Sequence, residues 1–129
     1  MKQEDKELLL RDLCARLPYG VIVETSKGSG HICDINLTIF GTEVGVNINP
    51  TSRDKFNVEE CKPYLFPLSS MTEEQKEFLR QQNWCIAIST SGTVETTIEG
   101  LDWLNKNHFD YRWLIEKGLA IDATGLGIY

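Results

Sequence analysis

The densest set of chemically capable side chains is the run His108-Phe109-Asp110-Tyr111-Arg112, followed directly by Trp113. An imidazole titrates near neutrality, a neighbouring carboxylate can orient it, and a guanidinium grips a phosphate or carboxylate by two parallel hydrogen bonds. The run falls between two helical pieces, so its side chains could meet in one junction. With Trp84 or Trp113 as a stacking surface, they would hold a small anionic ligand or a partner's side chain. The same residues also serve a helix corner, in which His108 ends the first helix, Asp110 caps the second, and Phe109 and Tyr111 pack. The corner is the commoner use of these residue types.

Other chemistry is thinner. His31 and Cys33 stand two apart on an expected strand and would share a face, which is half of a zinc site. Cys61, Cys85 and His108 offer no matching pair, and Ile35 and Leu37 continue that face, so core packing is expected and no metal. Ser69-Ser70 and Ser89-Thr90-Ser91 lie in no Gly-x-Ser-x-Gly elbow. Cys14 and Cys85 lack the basic neighbours that would favour a thiolate. The run 26–30, SKGSG, lacks the phosphate-loop pattern and leads into a strand, so it reads as a mobile hairpin turn. Glu73 and Glu74 have a helix-start explanation, and no paired-acid arrangement follows from the carboxylate spacings. No catalytic residue and no cofactor are assigned.

The elements that would position these groups follow from periodicity. Leu9, Leu13 and Leu17, with Leu10 and Cys14 alongside, make an apolar stripe on an N-terminal helix that Pro18 ends. Residues 20–25 (GVIVET) read as a strand. From 31 to 40 an alternation puts Cys33, Ile35, Leu37 and Ile39 on one face, and a second alternation presents Val44, Val46 and Ile48. The link Gly41-Thr42-Glu43 makes these a hairpin, and Asn49-Pro50-Thr51-Ser52 closes it as a turn. A short fourth strand is expected near 56–61, and residues 62–70 read as an extended crossing segment broken by Pro63 and Pro67. Thr72 and Gln75 have capping-box spacing for a middle helix to about Gln82. Strands are expected at 84–89 and 93–99, then helices at 101–107 and 111–117 with Gly118 as a cap. The result is an α+β chain: N-terminal helix, antiparallel meander closing at most into a small, partly open barrel, middle helix, hairpin and C-terminal helical pair.

The length of 129 residues matches one domain spanning 1–129, with no internal repeat and no linker. A chain of this mass is expected to fold to a surface of roughly 6,900 Å². The net charge of −6 with scattered Lys and Arg argues against a phosphate-backbone-binding face, so nucleic acid is not an expected partner. No apolar run is long enough for a membrane span. The start MKQEDKELLL shows no export signal, which points to the cytoplasm and to four reduced cysteines buried as small hydrophobes.

Residues 101–120, LDWLNKNHFDYRWLIEKGLA, resemble the closing segment of a family of small proteins from gut-anaerobe bacteria, their phages and mobile elements, which has no assigned activity. Residues 13–20 are similar to that family's opening and residues 62–74 to its middle. Trp113 stands where the family has a Gly. The resemblance implies an accessory protein of phage or mobile-element type and supplies no mechanism. The function expected is therefore non-catalytic binding of a host protein. Two alternatives stand beside it: sequestration of a small anionic ligand such as a nucleotide defence signal, and an enzyme of unfamiliar type. The candidate contacts are His108, Asp110, Tyr111, Arg112, Trp113 and Trp84, and self-association is left open.

Overall fold

A computed structural model describes residues 1–50 and 52–129. Helix α1 (Gln3–Arg16) buries Leu9 and Leu13 completely, and Leu8, Leu10 and Leu17 pack partly against the same core. The stripe departs from expectation in two ways. Asp12 and Arg16 are also fully buried, and Cys14 is exposed. At 3.6 residues per turn, positions 9, 12, 13 and 16 share one face and 14 is turned away from it. A 3-10 turn at Leu17–Tyr19 ends in Gly20, whose left-handed φ of 66° redirects the chain into the sheet.

Strands β1 (Ile22–Thr25), β2 (Gly28–Thr38), β3 (Gly41–Asn49) and β4 (Ser52–Asn57) form the antiparallel meander. Both hairpin links are tighter than the glycine pattern suggests. Thr25 faces Gly28 across Ser26-Lys27, and Thr38 faces Gly41 across Ile39-Phe40. Residues 28–30 and 41–43 therefore belong to strands. Within the turn expected at 49–52, Thr51 lies outside the described residues. The alternation in β2 is interrupted where the register shifts between Ile32 and Asp34. This bulge lets Ile32 and Ile35 both face the core and leaves His31 and Cys33 in solvent. Of the four cysteines only Cys61 is buried, which corrects the expectation for the other three.

The proline-containing segment is a strand, β5 (Lys62–Pro67), and it lies inside the sheet. Its prolines fall second and last, where a missing N–H costs the ladder least. β5 runs antiparallel to β1 and parallel to two short strands, β8 (Phe109–Asp110) and β9 (Ile121–Asp122). The sheet order is β4-β3-β2-β1-β5-β8 and the sheet is open, not a barrel. Val21, Val23, Ile32, Val44, Val46, Phe56 and Leu65 bury one face against α1, Leu114 and Leu119.

Helix α2 (Glu73–Gln82) carries the expected capping box: Gln75 N donates to Thr72 Oγ1 at 3.1 Å and Thr72 N to Gln75 Oε1 at 2.9 Å. A separate hairpin, β6 (Ile86–Ile88) with β7 (Val94–Thr96), leads to α3 (Ile98–Lys106), which Thr97 caps. The second C-terminal helix does not form. His108 and Trp113 adopt left-handed φ values of 63° and 60°, which break a helical path, and residues 111–117 are a series of turns. The accessible surface is 7669 Å², above the compact expectation.

Candidate functional site

The polar run of residues 108–112 meets α1 and divides into two sets. Arg112 and Tyr111 turn towards the buried charges of the helix. Arg16 Nε donates to Asp12 Oδ2 at 2.9 Å, and Arg112 Nη1 donates to Asp12 Oδ1 at 2.9 Å and to the Tyr111 hydroxyl at 2.8 Å. The Tyr111 hydroxyl donates on to Asn105 Oδ1 at 2.7 Å. Arg16 Nη2 reaches the Phe109 carbonyl at 2.6 Å, and both guanidiniums lie over the Tyr111 ring, at 5.2 and 4.5 Å from its centroid. One carboxylate thus balances two cations across about a hundred residues of sequence. Taking such charges out of water is costly, and the hydrogen bonds that surround Asp12 are what offset it. Arg112 is committed inside the fold, so the anion grip drawn from the sequence is not assembled there.

Asp110 is buried and accepts from Leu114 N at 2.9 Å and Ile115 N at 3.0 Å, capping the turns that replace the second helix. Trp113 donates its indole N–H to the Gly92 carbonyl at 2.6 Å and ties the β6–β7 hairpin to the C-terminal segment. Trp84 packs edge-on to Phe78 at 5.9 Å, in a groove of about 650 Å³ lined by Leu68, Met71, Leu79, Ile86 and Ile88 together with Lys76 and Arg80. The six residues grouped in the sequence reading therefore fall into four neighbourhoods.

His108 forms the fourth. Its side chain is 9% exposed and stacks on Tyr129 with ring centroids 3.7 Å apart. Burial, with Arg16 nearby, pushes its pKa down to about 4. The Tyr129 hydroxyl donates to the Tyr64 carbonyl at 2.8 Å and accepts from Ile22 N at 2.9 Å, bridging β1 and β5 where they diverge. Burial raises that phenol to about 12.

Ser29, Glu24 and Tyr64 lie on the sheet near His31. The Ser29 hydroxyl donates to Glu24, as does the Tyr64 hydroxyl at 2.7 Å, and these bonds hold the Glu24 carboxyl below the usual range. Because the serine bonds the carboxylate directly, no serine–histidine pair forms. Burial and the neighbouring Glu60 and Glu59 raise the Cys61 thiol to about 12, far from a nucleophile's range. Among the described residues no group of three or more His, Cys, Asp or Glu side chains is placed to hold a metal ion, and no helix is long and apolar enough to cross a membrane.

The feature that sequence reasoning missed is the β2–β3 turn. Leu37, Ile39 and Phe40 are 87%, 93% and 91% exposed. Alternation puts Leu37 and Ile39 on the face of Ile35, but the core that Ile35 packs against does not extend to them. The available signal was the turn itself: Thr38-Ile39-Phe40-Gly41 puts two large apolar residues where hairpins usually place Asn, Asp or Gly. No protein-family model matches the chain, and no curated protein and no solved structure shows significant similarity to it.

Proposed function

We propose that this chain is a non-catalytic binding protein, of the phage or mobile-element accessory type, that docks on a host protein through the tip of the β2–β3 hairpin. The observation that carries the reading is the exposure of Leu37, Ile39 and Phe40 together at one two-residue turn. Single exposed apolar residues are ordinary, but three large ones on a projecting hairpin form a ready-made anchor. The charges along the hairpin shank are matched within the sheet, Asp34 with Arg53 and Glu43 with Lys55 at 3.9 Å. From Ile35 to Thr42 the chain carries no charge. The partner surface that fits is an uncharged apolar groove wide enough for Ile39 and Phe40.

The test is site-specific photo-cross-linking in host cells, with a benzoylphenylalanine at position 40 and, as control, at the exposed position 116. The reading expects one discrete protein adduct from position 40, lost when Ile39→Asp is added, and none from 116. No adduct, an adduct only with a second copy of the chain, or recovery of the chain on lipid vesicles in an Ile39-dependent way would overturn it.

A further inference from the structure

We propose a second binding site, independent of the hairpin tip: the cleft between α2, the end of α3 and the strap 124–129 takes a small anion carried on an aromatic or aliphatic body, with Lys106 and His108 as its contacts. The cleft has a volume of about 510 Å³, within the size range of small-molecule sites. Phe66, Phe109 and Tyr129 give it an apolar wall, and Ser70, Lys106 and His108 give it polar groups. No Asp or Glu is among the described residues that line it, and Lys106 is its one charged side chain.

His108 supplies the second observation. The imidazole is nine-tenths buried, lines this cleft, and has a buried Nδ1 without a hydrogen-bond partner. Buried polar atoms are nearly always paired, so an unpaired Nδ1 on a residue that lines the cleft points to a partner from outside the chain. The backbone there is strained as well, with φ of 63° at a residue that carries a side chain. Such strain persists where the surrounding structure holds a side chain in a required place. Held uncharged at neutral pH, the imidazole acts as a hydrogen-bonding group, and Lys106 supplies the charge that selects an anion. Arg112, the anion contact expected from sequence, has no part in this cleft.

The experiment is a titration of the full chain at pH 7 with phenyl phosphate, benzoate and inorganic phosphate, followed by the His108 ring resonances and by tryptophan fluorescence. Trp103 reports on the cleft because it stacks on Phe109 at 5.5 Å. Phenyl phosphate or benzoate should shift His108 saturably, and whichever binds more tightly distinguishes a phosphate ligand from a carboxylate one. Inorganic phosphate should bind at least roughly tenfold more weakly. Lys106→Glu, at an exposed position, should weaken binding by about tenfold or more with an unchanged melting temperature. His108→Asn, which tolerates the left-handed backbone, should weaken it as well. The proposal fails if neither organic anion shifts His108 saturably, if Lys106→Glu leaves the shift intact, or if inorganic phosphate binds equally well. An unmoved His108 would leave an ordered water as the partner of Nδ1.

Discussion

The corner around Asp12 and the tip of the β2–β3 hairpin are inversions of one another. In the first, charged residues are buried: Asp12 and Arg16 are fully enclosed at the foot of α1. In the second, large apolar residues are fully in solvent. The difference lies in compensation. Asp12 is bonded by Arg16 and Arg112, and Tyr111 and Asn105 extend the network, so its charge is answered within the chain, although Arg16 Nη1 is left without a hydrogen-bond partner. Nothing in the described chain packs on Ile39 or Phe40 to the degree that would bury them. A misplaced residue that is satisfied internally points to the scaffold, whereas one left unsatisfied points to something outside the molecule. His108 combines both: its ring is stacked on Tyr129, and its Nδ1 is unpartnered.

The largest effect should come from breaking the corner. Asp12→Ala leaves the Arg16 guanidinium buried without its carboxylate and should destabilise the fold by about 3–5 kcal/mol, read by urea unfolding. Arg112→Ala leaves the Asp12–Arg16 pair in place but removes two hydrogen bonds, for a loss of about 2 kcal/mol. Equal losses in the two variants would show that the network is not organised around Asp12.

Acid should act through His108. The unfolded chain protonates this ring near 6.5, the ordinary value, while the folded chain holds it neutral down to about 4. Between those values the unfolded state binds more protons. Stability is therefore complete above 6.5 and lost as the pH falls towards 4, by about 3 kcal/mol. Unfolding free energies of the parent and of His108→Asn, compared from pH 7 to 4, isolate this contribution. Parallel curves would remove it. Tyr129→Phe should cost less, about 1 kcal/mol, because it deletes the bridge from Ile22 N to the Tyr64 carbonyl and keeps the ring stack. Hydrogen exchange at the Ile22 amide should rise in that variant ahead of the rest of β1.

The contrast also explains what could be read from the sequence. Local signals worked where a few neighbouring residues decide the outcome: the Leu9/Leu13 spacing, the Thr72–Gln75 box, and the meander through Val44 and Val46. They failed where distant segments decide it. A bulge at Cys33 shifts the phase of β2 and turns Cys33 outward, while Leu37 and Ile39 lie at the hairpin end beyond the core, so alternation alone puts all three in the wrong environment. Two left-handed residues, His108 and Trp113, dissolve the second C-terminal helix although its apolar spacing is sound. Pro63 and Pro67 suggested a crossing segment, yet parallel pairing to β8 and β9 makes a strand of it. The candidate site suffered the same way. The run 108–112 stands out in the sequence as a dense set of polar groups, but the partner of Arg112, Asp12, lies a hundred residues earlier, and that contact turns Arg112 inward.

The most direct test of the central claim, that the buried corner belongs to the fold and the apolar tip to a partner, is the thermal melting of Ile39→Asp/Phe40→Asp beside Asp12→Ala and the parent. Side chains about 90% exposed contribute no native packing, so the double variant should melt within about 1 °C of the parent, while Asp12→Ala should melt lower by roughly 10 °C or more. A tip variant that melts as low as the corner variant would mean that Ile39 and Phe40 are packed in the native chain, which contradicts the account.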